Sequence, residues 1–423
     1  MISNEERWAH LKVEMERYTD NAEEIIEALQ DLYSIYDEGY LTWLAGLYDK
    51  DTGAFYFSNS ARDNSEFLPD IESTVQAVNN MIGLGLISSP DELPEKMKAG
   101  IIGFTRSLLD PEDGFFYHPQ WGKNIVDSRR GRDLNWALQL SNHFKFDFPY
   151  PTANERLAQA LKEKNDKEIR AIPDHLKSAE ALKSYLDNYD WESRAYYAAN
   201  NICSQMSSVV SAGLEDVVIN YLNEKQNPET GLWGNRGSYG AVNALLKISG
   251  AYQTANRQIP NATKAALAAM ECIIHEDDPN GYIRADDRCW TVCHIYNCWF
   301  SIRNILSNLK NHGGEEGEEA IKELLCAVYK FAPEAIRASK KKILLFKKAD
   351  GSFTYDLEVG LQGFSQEAPV CLKDIDEGSI NSSVISSTGL TNNIYMALGI
   401  EDEYTVKIFG SVNKQKFLES FNV

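Results

Sequence analysis

Residues that can carry out chemistry are concentrated in a few short stretches of this sequence, most of them shortly after a glycine turn. The residues that could transfer protons, or stabilise a developing positive charge, are Asp70, Glu72, Tyr117, His118, Asp133, Asp286 and Asp287. Those that could bind a substrate are Arg62, Trp121, Arg129, Arg132, Asn135, Trp136, Arg236, Tyr239 and Arg284. Aromatic faces stack on sugar rings, while arginine and asparagine bind hydroxyl and carboxylate groups. The mixture therefore predicts a site for an oligosaccharide or another small-molecule substrate.

Two reactions on a sugar chain fit these residues. Glycoside hydrolysis needs a carboxylic acid and a carboxylate on either side of the bond, and the five carboxylates named above are candidates. β-Elimination from a uronate needs a base and a cation that faces the substrate carboxylate. Tyr117, His118 and Arg132 suit those roles. The sequence leaves the choice between hydrolase and lyase open.

Structural roles are also expected for several of these residues. Asp70 follows a proline and precedes Glu72, which is typical of a helix N-cap followed by an acidic first turn. His118 precedes a proline in an aromatic loop, where a structural histidine is common. The arginines at positions 129, 130 and 132 could form an ion-pair network with Asp127 and Asp133.

A recurring turn motif predicts how these stretches are positioned. In each case a turn residue precedes a glycine, and a large apolar residue follows two positions later. The five copies are 51–55 (DTGAF), 112–116 (EDGFF), 229–233 (ETGLW), 279–283 (PNGYI) and 349–353 (ADGSF). We expect the apolar residues of these turns, such as Phe55 and Trp233, to fill the gaps between helices.

Apolar residues recur at helical spacing on both sides of these turns, so the repeating unit is predicted to be helix, glycine turn, helix. The predicted units span roughly 40–92, 95–147, 151–212, 213–256, 262–310 and 318–400, and the third lacks the glycine signature. Six stacked helical hairpins can close on themselves. We therefore predict an all-α fold, a single (α/α)6 toroid over residues 1–423.

Gln226-Asn-Pro-Glu-Thr-Gly231-Leu-Trp233 resembles the Gln/Trp repeat of terpenoid cyclases. The resemblance implies the α/α toroid that these enzymes share with protein prenyltransferase β subunits and with several polysaccharide-degrading enzymes. It does not fix the chemistry, because one fold hosts many functions.

Two motifs bear on whether the chain shares the chemistry of terpenoid cyclases or of prenyltransferases. Asp374-Ile-Asp376-Glu377 departs at its last position from the Asp-x-Asp-Asp motif of class II cyclases. Asp287-Arg-Cys289-Trp290 is similar to the segment that supplies zinc ligands in prenyltransferases, but the helix expected over 382–397 lacks the third ligand, a histidine. His294 lies nearby but, next to Cys293, is expected to point elsewhere. We therefore expect no metal and no other cofactor.

The composition indicates which kinds of partner and compartment the protein is suited to. The 423 residues carry a net charge of −20, which repels polyphosphates, so we expect no binding to nucleic acid. No apolar run approaches the length of a membrane span, and no signal peptide is visible. The seven cysteines are scattered and odd in number, which favours a reducing cytoplasm.

Together these observations predict a cytoplasmic carbohydrate-active enzyme, a glycoside hydrolase or polysaccharide lyase. An isoprenoid-processing enzyme, whose diphosphate would bind the arginine cluster, is the alternative. A noncatalytic toroid that binds a glycan or a protein is the third possibility.

Overall fold

The computed structural model describes residues 3–162, 173–234, 239–275, 291–314, 317–401, 404–410 and 414–421. The α-helices are α1 (Asn4–Met15), α2 (Ala22–Tyr33), α3 (Glu38–Gly46), α4 (Asn59–Arg62), α5 (Ile71–Gly83), α6 (Glu95–Ser107), α7 (Asp127–Phe144), α8 (Ala153–Lys162), α9 (Ala179–Leu186), α10 (Ala195–Ser211), α11 (Glu215–Lys225), α12 (Tyr239–Thr254), α13 (Ala262–Ile274), α14 (Cys293–His312), α15 (Gly317–Ile343), α16 (Ile380–Val384), α17 (Leu390–Ala397) and α18 (Lys414–Ser420). The short strands are β1 (Tyr48–Asp49), β2 (Ala54–Phe55), β3 (Phe364–Ser365) and β4 (Ala368–Pro369), which form the antiparallel pairs β1–β2 and β3–β4.

The prediction of a mostly helical protein is confirmed. In the part of the chain that the structure describes, no helix is long and apolar enough to cross a membrane. The closure of six hairpins into one ring stays a prediction.

The chain forms two compact units, each assembled from three separate segments. Unit 1 contains Met1–Ile35, Ala171–Leu344 and Gly389–Val406. Unit 2 contains Tyr36–Arg170, Leu345–Thr388 and Lys407–Val423.

In unit 1, alternate helices along the chain pack side by side. One layer contains α10, α12, α14 and α17, each packed on the next. A second layer contains α13, α15 and α2, and α13 also packs on α14. Such alternation is expected when successive helical hairpins stack. Trp233 is fully buried in this unit and its indole N–H donates to the Leu222 carbonyl at 2.8 Å, as expected of a residue that fills a gap between helices.

In unit 2, helix α5 occupies a central position. It packs against α7, against α16 and against strand β2. Nearly every α5 side chain is buried, including the polar residues of its first turn. A helix that is buried almost all round needs partners for its polar groups, and these partners come from the neighbouring turns.

The predicted glycine turns adopt the expected backbone conformation wherever the structure describes them. Gly53, Gly114, Gly231 and Gly351 have φ values between 69° and 89°, which glycine adopts at little cost. Gly281 lies outside the described residues. At Gly231 a Cβ atom would lie 2.6 Å from the backbone nitrogen of Ala265 in the first turn of α13. Glycine is therefore required there both for its φ and for the close approach of a neighbouring helix.

Two turns of unit 2 attach in the same way to the N-terminus of a helix further along the chain. The amide of Phe55 donates to the hydroxyl of Thr74 at 3.0 Å, and its carbonyl accepts from the amide of Asp70. The amide of Phe353 donates to the hydroxyl of Ser383 at 3.0 Å, and its carbonyl accepts from the amide of Ser379. The recurrence of one hydrogen-bond pattern at two distant turns indicates an internal structural repeat.

Candidate active site

Arg129 is the centre of the most concentrated group of buried charges among the described residues. It lies in the first turn of α7, and its side chain is fully buried. Each nitrogen of its guanidinium group faces a different carboxylate. Nη1 lies 2.7 Å from Glu72, Nη2 lies 3.4 Å from Asp70, and Nε lies 2.9 Å from Asp133. Four residues that the sequence analysis named are thus brought together within unit 2.

Glu72 is the most heavily bonded of the three carboxylates. Its Oε2 accepts from Arg129 and from the hydroxyl of Ser365 at 2.8 Å, and its Oε1 accepts from Arg132 at 2.6 Å. Gln76, one turn further along α5, donates a longer hydrogen bond to Oε1 at 3.4 Å. Charge-assisted bonds from two guanidinium groups suit an ionised carboxylate.

Asp70 is the N-cap of α5, as its position in the sequence indicated. Its Oδ1 accepts from the backbone amide of Ser73 at 3.0 Å, and its Oδ2 accepts from the Ser73 hydroxyl at 2.6 Å. A capping carboxylate also interacts favourably with the helix dipole. Asp70 therefore has a structural role, and its contact with Arg129 adds it to the charged cluster.

Asp133 is the least well bonded of the three carboxyl groups. Its Oδ1 lies 2.9 Å from Arg129 Nε, but neither atom makes a hydrogen bond of acceptable geometry in the described part of the chain. Burial raises the pKa of Asp133 to about 7, and the nearby carboxylates of Asp70 and Glu72 act in the same direction against the attraction of Arg129.

A count of charges explains this result. Three carboxylates share two arginines, Arg129 and Arg132, so one negative charge is in excess when all are ionised. An uncompensated buried charge is costly, which agrees with the raised pKa of the least well bonded carboxyl group, Asp133.

His118 and Trp121 support the arginine from one side. The guanidinium carbon of Arg129 lies 5.0 Å from the Trp121 ring centre, and the His118 ring stacks on Trp121 at 3.9 Å. The imidazole Nε2 lies 2.8 Å from the Pro69 carbonyl, and Nδ1 accepts from the amide of Gln120. This pattern fits a neutral ring, and burial lowers the pKa of His118. Both ring nitrogens are engaged, so the expected structural role is supported.

Tyr117 lies apart from this cluster. Its hydroxyl donates to Asp113 at 2.7 Å, and its ring lies under the ammonium group of Lys123. Burial raises the pKa of Tyr117, with the Asp113 hydrogen bond as the next cause. A tyrosine in this environment is a poor base.

One edge of the cluster reaches solvent and presents polar atoms that lack partners in the described chain. The Arg132 side chain is 36% exposed and lies over the ring of Trp136. Arg132 Nε, Trp136 Nε1 and Gln76 Oε1 are buried and unpaired, as is Trp121 Nε1. Unpaired buried polar atoms cost about 1–3 kcal/mol each, so they are candidates for ligand binding.

The β3–β4 hairpin lies directly on the arginine. Arg129 Nη1 donates to the Ser365 carbonyl at 3.1 Å, and the Ser365 side chain bonds to Glu72. The two residues that connect the strands, Gln366 and Glu367, have φ values of 49° and 64°. This left-handed conformation is normally adopted by glycine or asparagine in two-residue turns, so the hairpin holds local backbone strain.

The remaining predicted site residues do not join this group. Arg62 is exposed and forms a two-pronged pair with Asp63, and Asn135 is exposed on α7. Tyr239 belongs to unit 1, where its hydroxyl accepts from Asn297 at 2.8 Å. Arg236, Arg284, Asp286 and Asp287 lie outside the described residues, as do Cys289 and Trp290.

Sequence reasoning missed several participants. Ser365 and Gln76 were not identified, since neither residue type nor spacing distinguishes them from other polar residues of the chain. It also missed a second cluster, in unit 1, formed by Cys272, His294 and Cys298. The hydrogen bond from Cys298, followed by that from His294, lowers the pKa of the Cys272 thiol to about 5.

Comparison with known proteins identifies no relative: no protein-family model, no curated protein and no solved structure matches this chain.

Proposed function

We propose that this protein is a carbohydrate-active enzyme, a glycoside hydrolase in which Asp133 is the general acid and Glu72 is the ionised carboxylate. The observation that carries the proposal is the pair of buried carboxyl groups, Asp133 and Glu72, that face the same arginine in different surroundings. Asp133 has a pKa raised to about 7 by burial, and Glu72 accepts charge-assisted bonds from two arginines. Glycoside hydrolysis requires one protonated and one ionised carboxyl group, set apart by their surroundings.

The partly exposed edge at Arg132 and Trp136 supports sugar binding. The partly exposed Arg132 guanidinium, which lies over the Trp136 ring, offers donors to sugar hydroxyl groups. Glu72, Asp70 and Asp133 are only 1–2% exposed, so substrate entry requires a local displacement. The β3–β4 hairpin, whose Ser365 contacts Arg129 and Glu72, is the segment that we expect to be displaced. The strain in its connecting residues lowers the cost of that displacement.

The lyase and isoprenoid alternatives have weaker support. Elimination needs an available base, whereas Tyr117 and His118 are both engaged in hydrogen bonds. A diphosphate needs unpaired cations, whereas Arg129 faces three carboxylates and Arg130 pairs with Asp127.

Burial also favours a second candidate, in which the cluster only braces α5 against α7 and the protein binds a glycan or a partner without catalysis. A buried ion network of this kind contributes to conformational specificity in some proteins. The two candidates differ in whether turnover depends on an acidic proton of Asp133.

The test is turnover of a panel of neutral and uronate-containing oligosaccharides, measured by released reducing ends. We expect Asp133→Asn and Glu72→Gln each to reduce kcat by about 10²-fold or more. Asp127→Asn, an exposed position on the same helix, should retain activity. A product that absorbs as an unsaturated uronate would instead establish a lyase. Full activity in Asp133→Asn would refute the proposal, and binding without turnover across the panel would favour the noncatalytic candidate.

A further inference from the structure

Cys272, His294 and Cys298 are brought together by two helices of unit 1. His294 and Cys298 are four residues apart on α14, so one helical turn places them on the same face. Cys272 lies near the end of α13, which packs on α14. The three side chains are 0–5% exposed, and their ligand atoms all lie within 4.8 Å of one another.

The spacing of these atoms matches that of a zinc site. Zinc bonds of about 2.3 Å to sulfur and about 2.0 Å to nitrogen place a sulfur and a nitrogen about 3.5 Å apart in a tetrahedron. The measured distance from Cys272 Sγ to His294 Nε2 is 3.4 Å. Two zinc-bound sulfurs lie about 3.8 Å apart. The ligand atoms here lie within 4.8 Å of one another, so small side-chain rotations bring the sulfurs to that distance. The helices therefore hold the ligands close to the required positions without backbone movement.

The surroundings also suit a metal. The Tyr239 ring lies 4.5 Å from the His294 ring, and its hydroxyl accepts from Asn297, so the orientation of the imidazole is restricted. Zinc with two thiolates and a neutral imidazole carries no net charge, which makes the complete burial of the group acceptable. Soft sulfur ligands favour zinc over magnesium or calcium.

We propose that Cys272, His294 and Cys298 bind one zinc ion and supply three of its ligands. Zinc in proteins is normally tetrahedral, so one further ligand completes the site. The zinc ligands belong to unit 1 and the carboxylate cluster to unit 2, so this proposal does not depend on the glycoside hydrolase proposal. The alternative is that the cysteines simply fill space in the core.

The test is metal analysis of the full-length protein purified under reducing conditions. We expect about one zinc per chain in the wild type. Cys272→Ser and Cys298→Ser should each lose most of this zinc to an equimolar chelator. Cys293→Ser, a substitution next to His294 on the same helix but outside the ligand set, should retain it.

Cobalt titration of the metal-free wild type gives a readout that needs no variant to fold. We expect a sulfur-to-cobalt charge-transfer band that saturates at one equivalent, and a band roughly halved in a folded single-cysteine variant. A wild-type protein with neither zinc nor a cobalt–thiolate band would overturn the proposal. So would zinc that remains at full stoichiometry when both Cys272 and Cys298 are replaced by serine.

Discussion

Replacing Asp133 by asparagine should make the protein more stable above neutral pH, which is the reverse of what is expected for an ion-paired aspartate. In the folded protein the pKa of Asp133 is raised from 3.8 to about 7, chiefly by burial. Between these two pH values the folded state keeps a proton that the unfolded state has released. The free energy of unfolding therefore falls as pH rises through this window. At about 1.4 kcal/mol for each pH unit, the loss amounts to about 4 kcal/mol.

The asparagine side chain mimics the protonated acid and cannot ionise, so the variant escapes this loss. We expect Asp133→Asn and the wild type to be equally stable at about pH 4, and the variant to be about 4 kcal/mol more stable at about pH 8. The measurement is urea denaturation at several pH values, followed by tryptophan fluorescence. The difference between the two proteins cancels the titration of groups that do not interact with Asp133.

A lower stability of Asp133→Asn than of the wild type at about pH 8 would refute this reasoning. If Asp133 were ionised and bonded to Arg129, its replacement would lose a charge-assisted hydrogen bond and would cost about 1.5–3 kcal/mol at neutral pH. Asp127→Asn serves as the control, since its side chain is 78% exposed, and we expect no comparable pH-dependent difference.

Two further predictions concern stability. Gly231→Ala should lower the free energy of unfolding by more than about 1 kcal/mol, because of its positive φ and the nearby α13 backbone. Gly103→Ala should not, since an added Cβ meets open space there. Thermal denaturation of both variants tests this. Arg129→Met should lower the free energy of unfolding by about 3–5 kcal/mol, since it leaves buried carboxylates unpaired. Arg130→Met removes a surface pair and should cost at most about 1 kcal/mol. Urea denaturation of both variants measures the difference. Equal losses in either pair would contradict these expectations.

Local features of the fold could be predicted from the sequence. A glycine turn is specified by a few adjacent residues, so the turns at Gly53, Gly114, Gly231 and Gly351 were found from their motif alone. The N-cap role of Asp70 was predicted for the same reason. Helical periodicity is equally local, and it indicated the mostly helical class.

The candidate site was predicted only in part. Sequence reasoning named Asp70, Glu72, Arg129 and Asp133, but residue types cannot show that one guanidinium faces all three carboxylates. Glu72 and Arg129 are 57 positions apart, and Ser365 is 293 positions from Glu72. The raised pKa of Asp133 depends on burial and on an excess of negative charge, and both arise only after folding.

The cysteine–histidine cluster shows the same limit. The spacing of His294 and Cys298 is visible in the sequence, but the third group, Cys272, lies on another helix. The sequence instead suggested Cys289 as a possible zinc ligand, because its neighbours resemble a known zinc-binding segment.

The assembly of each unit from three chain segments has a consequence for how the protein folds. During synthesis, α5 and α7 leave the ribosome long before residues 345–388, which supply Ser365 and the anchoring groups Phe353 and Ser383. Contacts between such distant segments are slow to form, and apolar surface stays exposed in the meantime. Chaperones should therefore bind the nascent chain, and fragments that end near residue 344 should aggregate rather than yield a folded unit.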